Sequence, residues 1–194
     1  MGPRNFPNKA ILNFTFCNQY RLNSAIASYA QRSFFGNSIY DCLGDGTNLT
    51  ATPYADAFNI WNRVSVIQST IELTIQNNGL VPTEVTVFPY DFNVTGVADP
   101  VQWAENNNLK RVIVDGTGRG GSSMIKISMT VNTNKFLNIS HKDSRASSAT
   151  GVTPNVQWFW IVGIRVIGSG FPDVYYNARI TYKTFCSSRF IVQS

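Results

Sequence analysis

The sequence is poor in the groups from which active sites are built. Charged residues make up only 14% of its 194 residues, and there is a single histidine, His141, inside the polar run SHKDSR. A metal cage on facing strands needs several His or Glu ligands, and a hydrolytic triad needs its histidine held between a carboxylate and an activated Ser or Cys. One loop histidine serves neither. Eleven acidic residues are scattered, and the local group Asp91, Asp99 and Glu105 reads as caps and turns rather than an acid/base pair. Three cysteines, Cys17, Cys42 and Cys186, are odd in number and far apart. That argues against a disulfide framework and a cysteine zinc site, and predicts buried free thiols. GTGRGG (116–121) lacks the Lys-Ser/Thr of a phosphate-binding loop and no helix follows it, so it reads as a hairpin turn. No apolar run approaches the ~20 residues that span a bilayer, and the opening MGPRNFPNKA has no apolar h-region of a secretory signal. The expectation is a chain with no enzymatic activity, no cofactor, no metal and no membrane insertion.

What the chain does have is strand pattern. Hydrophobic residues reach 43% and aromatics 13%, enough for a sizeable core in one domain. From Val66 the segment 59–79 alternates, with Ile67, Ser69, Ile71, Leu73 and Ile75 on one side and Gln68, Thr70, Glu72, Thr74 and Gln76 on the other. A period of two with β-branched residues on the apolar side predicts a half-buried strand, and NNG supplies its turn. KAILNFTFCNQY (9–20) sets Ala10, Leu12, Phe14 and Phe16 against Ile11, Asn13, Thr15 and Cys17. Further strands are expected at 84–90, 109–115 and 123–132, with a weaker candidate at 134–139. VQWFWIVGIRVIG (156–168) is nearly continuous apolar, as a strand covered on both faces should be. VYYNARITYKTF (174–185) sets Tyr176, Ala178, Ile180 and Tyr182 against Asn177, Arg179, Thr181 and Lys183.

Helical signals are short: 55–61 with Asp56 as N-cap, and 98–106 with Asp99 as cap and Pro100 at the first helical position. SAIASYAQR (24–32) is ambiguous, and 37–63 and 140–155 read as long connections. About eight strands joined by turns and long loops predict an all-β two-sheet sandwich, either a jelly roll or a Greek key. The missing Cys-Trp-Cys pattern weighs against an immunoglobulin-like topology.

The segment SFFGNSIYDCLGDGTNLTATPYADAFNIWNRVSVIQSTIELTIQN (33–77) resembles the coat proteins of small circular Rep-encoding single-stranded DNA viruses, the circovirus-like group. The resemblance rests on Phe35, Asn37, Ser38, Ile39, Tyr40, Asp41, Gly44, Gly46 and Pro53, then on Trp61, Asn62, Arg63, Val66, Ser69 and Ile71. It implies a single eight-stranded antiparallel jelly roll over residues 9–194, behind a short stub at 1–8, with long loops and one or two short helices. It also implies self-assembly into an icosahedral shell, of sixty subunits in the simplest case, around circular single-stranded DNA in a virion.

Coat proteins of that group open with a long Arg-rich arm that binds DNA and carries nuclear import signals. This chain offers only Arg4 and Lys9 there. Its net charge of +5, carried by sixty copies, neutralises only on the order of 300 phosphates, so weak single-stranded DNA binding is expected. The residues assigned to it are Arg4, Lys9, Arg179 and Lys183, the last two sharing the wet face of the final strand. The alternative is a secreted, lectin-like carbohydrate-binding sandwich. Exposed tryptophans and the sequons at 13, 48, 93 and 138 favour it, whereas the unpaired cysteines and the opening segment do not.

Overall fold

Segments with a two-residue period can satisfy their backbone only by pairing, and their dry faces only by meeting another sheet. The computed structural model, which describes residues 8–25, 27–43, 47, 49–91, 108–117 and 124–189, shows both solutions. Its strands are β1 (Lys9–Asn23), β2 (Tyr29–Phe35), β3 (Trp61–Asn77), β4 (Thr83–Tyr90), β5 (Lys110–Val114), β6 (Ile125–Asn132), β7 (Ser147–Ser148), β8 (Phe159–Val166) and β9 (Asp173–Arg189). One sheet runs β1-β9-β3-β6, with the two-residue β7 added beside β3, and the other runs β2-β8-β4-β5. Every pairing is antiparallel. Eight long strands in this order form a jelly roll.

The core lies between the sheets. Phe14 and Phe16 of β1, Tyr176, Ala178, Ile180 and Tyr182 of β9, and Ile71, Leu73 and Ile75 of β3 all face it, as their alternation predicts. The residues of β8 are buried on both faces: Trp160, Val162 and Ile164 join the central core, while Phe159 and Ile161 join Phe35 and Phe88 in a second cluster. Each large apolar side chain so enclosed contributes about 1.5–3 kcal/mol.

One expected core residue moves. Ile67 is only half-buried, because the pairing of β3 with β9 skips it between Val66 and Gln68. This β-bulge inverts the strand's parity, so Val64 and Val66 face inward before it and Ser69, Ile71 and Leu73 after it.

Three other expectations are corrected. The candidate strand at 134–139 is instead a helix, here α2 (Thr133–Leu137), following α1 (Tyr54–Ile60) in the chain. Asn132 caps α2 through its side chain, which accepts from the Lys135 N–H at 3.1 Å, and Asn138 ends it in the left-handed region at φ 52°. α1 forms where 55–61 predicts, but it begins at Tyr54 after Pro53, so Asp56 is not its cap. Cys42 and Cys186 are buried free thiols, whereas Cys17 is exposed because its odd position on β1 turns it to the wet face. The ambiguous 24–32 resolves into the start of β2, and the predicted helix at 98–106 lies outside the described residues.

The coat-like motif builds a corner. Gly36 lies against the Trp158 ring, where a Cβ would stand 2.3 Å from its carbons. Asn37, fully buried, donates to the Val156 carbonyl at 2.8 Å and accepts from the Trp158 N–H at 3.1 Å. The two indoles are satisfied in turn, Trp158 by Thr133 at 3.3 Å and Trp160 by Ser69 at 2.9 Å. Asp41 turns the chain at φ 45°, and the Tyr182 hydroxyl donates to the Phe35 carbonyl at 2.8 Å.

Candidate nucleic-acid interface

The outward face of the β1-β9-β3-β6 sheet carries a series of cationic side chains. Antiparallel registry places residues in rows across it. Lys9, Ser187 and Arg63 form one row; Asn13, Lys183 and Gln68 a second; Cys17, Arg179 and Glu72 a third. Alternate residues on a strand face lie about 6.6 Å apart, so these rows follow one another at about 13 Å. Lys9, Lys183 and Arg179 therefore share one exposed face, as the alternation predicts, but as a stripe rather than a single patch. Arg4 lies outside the described residues.

The charges along the stripe differ in their partners. The Arg179 guanidinium lies 4.0 Å from the Glu72 carboxylate, with both groups more than half exposed, a contact worth little in water. Arg21 is committed to Asp173 through two hydrogen bonds of 2.8 and 3.0 Å. Lys9, Arg63 and Lys183 make no ion pair among the described residues. The face is thus left positive.

Three further cations belong to it. Lys126 of β6 joins Arg179 and Glu72 around a shallow cleft of about 430 Å³. Arg63 and Lys142 join Lys9 around a second cleft, of about 200 Å³, walled by Phe185 and His141. Lys126 was legible on the wet side of its strand. Arg63 was not: counting back by twos from Ile71 puts it on the core side, and only the bulge at Ile67 turns it outward. Lys142 comes from the 140–146 loop, whose docking no strand periodicity announces. There Asp143 accepts from Arg145 at 2.7 Å, and that guanidinium holds its carboxyl down to about 2.

Among the described residues no three His, Cys, Asp or Glu side chains lie close enough to hold a metal ion, and no helix is long and apolar enough to cross a membrane. Burial pushes the Cys42 thiol up to about 12, which removes it as a nucleophile. A lectin-like reading asks for exposed tryptophans, but Trp61, Trp158 and Trp160 are buried, and Trp103 lies outside the described residues.

The fold is one used by viral capsid proteins. The chain aligns with the 60-mer BFDV capsid protein over 97% of its own length and 99% of that chain, at a TM-score of 0.51 and 12% identity. A nora virus structure aligns over 100% of this chain and 66% of that one, at a TM-score of 0.51 and 10% identity. Desmodium yellow mottle tymovirus also aligns, over 100% and 96%, at a TM-score of 0.47 and 14% identity. At these identities the likeness is one of architecture. No family model matches the sequence, and no curated protein matches it either.

Proposed function

We propose that this chain is a structural coat protein, not an enzyme, whose copies associate into a closed shell around single-stranded DNA. The observation that carries this reading is a capsid-type jelly roll spanning nearly the whole chain, joined to a broad sheet face on which Lys9, Arg63, Lys126 and Lys183 have no ion-pair partner among the described residues. The segment 33–77 supports the finer reading, a circovirus-like coat protein whose jelly-roll domain occupies 9–194 behind the stub at 1–8 and whose place is the virion. On this reading the β1-β9-β3-β6 sheet turns its outer face to the nucleic acid. Lys9, Lys183, Arg63 and Lys126 meet phosphates there, Arg179 adds to them when Glu72 releases it, and Arg4 is counted with them from its place in the sequence alone.

Long loops rich in Ser, Thr and Asn suit subunit contacts, because desolvating them costs less than desolvating unpaired charge. Specific contacts of this kind bury roughly 1,600 Å² per pair, and closed symmetry repeats each one. Light scattering with negative-stain microscopy across salt and pH tests the reading. Closed particles of uniform size are expected; monomers under every condition refute it.

A further inference from the structure

We propose that the cleft at the Lys9 end of the main sheet holds one nucleotide unit of single-stranded DNA, its phosphate between Lys9, Arg63 and Lys142 and its base against the Phe185 and His141 rings. This rests on the nucleic-acid half of the function proposed above and is independent of shell formation.

The floor of the cleft is set by registry. Ser187 of β9 pairs with Lys9 on one side and with Arg63 on the other. Adjacent strands lie about 4.8 Å apart, so the two cations start from backbones about 10 Å apart, and both line the cleft together with that serine. Lys142 closes the third side from the loop. None of the three has a carboxylate among the described residues, and the acid beside Lys142, Asp143, is already bound bidentately by Arg145. Three like charges around a cleft without a counterion repel one another, and an anion entering between them relieves that repulsion.

Phe185 gives the cleft its selectivity. It lies two residues from Ser187 on the same face of β9, about 6.6 Å along the strand, close to the reach from a phosphate to its own base. Phe185 is an aromatic side chain on the outward face of the sheet, half-buried, and His141 packs against it. Its ring packs edge-on at 4.8 Å between centroids, and its Nδ1 lies 3.3 Å from the Asn134 amide nitrogen. An aromatic wall beside phosphate-binding cations is the arrangement that recognises unpaired bases, whose faces are free only in single strands. A sulfated polysaccharide satisfies the cations alike but carries no base for the rings.

Fluorescence anisotropy tests this, with a short thymidine oligonucleotide, the same oligonucleotide made abasic, and dextran sulfate as a competitor. Arg63→Ala is expected to weaken thymidine binding about tenfold at ~50 mM salt and to lower the slope of log affinity against log salt by about 0.7. Phe185→Leu is expected to weaken the thymidine oligonucleotide about tenfold and to leave the abasic one unchanged. Lys142→Ala, on an exposed loop, is expected to repeat the slope change without altering the melting temperature, which separates binding from folding. Equal binding of thymidine and abasic oligonucleotides, or unchanged binding in Phe185→Leu, overturns the nucleotide site; stronger binding of dextran sulfate that depends on Arg63 assigns the cleft to sulfated glycans instead. Loss of shells with these oligonucleotide differences intact removes the assembly reading and keeps the cleft. Shells without them do the reverse.

Discussion

Replacing Leu73 and Ile67 by alanine, one at a time, asks whether β3 carries its bulge. Leu73 is 1% exposed and sits mid-sheet, paired with Ala178 on β9 and Ile127 on β6. Leu73→Ala removes three carbons from a closed core, worth about 0.8 kcal/mol each in transfer, or about 2.4 kcal/mol. Its neighbour Ala178 has no side chain with which to fill the space, so a cavity cost adds to this, within the 2–5 kcal/mol seen for such truncations. An expected loss of about 3 kcal/mol follows. Ile67 is half-buried on the other side of the sheet, so Ile67→Ala should cost about 1 kcal/mol. Urea denaturation of the monomeric chain measures both, read as a shift in midpoint at constant slope. The measurement is made at low concentration, because the self-association proposed above would add its own stabilisation by mass action. Two results refute the reasoning. A loss under ~0.5 kcal/mol for Leu73→Ala would put that residue outside the core, and an equal loss for both would mean the strand runs without a bulge.

Cysteine labelling at neutral pH should modify Cys17 rapidly in the native subunit and reach Cys42 and Cys186 only on unfolding; equal rates for all three would contradict their burial. Asn37→Ala should cost about 2–4 kcal/mol in a denaturation series, since it strands the buried Val156 carbonyl and Trp158 N–H that Asn37 satisfies. The Asp143 carboxyl, held down to about 2 by Arg145, contributes loop stability that is present above its unfolded value near 3.9 and is lost as pH falls through about 2. In Arg145→Ala its titration, followed by NMR, should move back up toward the unfolded value, and an unmoved midpoint would mean the guanidinium is not its cause.

The alternation of β3, β9 and β1 fixes which residues are dry, and the continuous apolar run of β8 announces a strand covered twice. Those readings follow from local composition, and the structure agrees with them. The bulge at Ile67 could not be read the same way, because Val64 and Val66 before it are as apolar as Ile71 and Leu73 after it, and either parity looks like a core face. Arg63 was lost to the candidate site through that one residue. α2 was misread for a different reason: its capping by Asn132 and Asn138 outweighs a short alternation in Lys135–Ile139. Lys142 and His141 reach the sheet through a loop, a long-range contact that no window of sequence contains.

The position of β9 has a consequence for how the chain comes to be folded. It lies between β1 and β3 in the main sheet, pairing Lys9 with Ser187 and Trp61 with Arg189, yet it is synthesised after every other described strand. Until it emerges, β1 has no neighbour in its sheet and one long edge of β3 stays open. At ~5–20 residues per second of synthesis, that interval lasts on the order of ten seconds after β1 is made. Chains cut short before β9 cannot settle into a smaller version of the sandwich, since the missing strand is the seam and not the border. They are left with two open apolar edges, a substrate for chaperones and proteases. Only finished copies can therefore complete the sandwich, so on the coat-protein reading proposed above the strand order doubles as a check on completeness before one copy meets another.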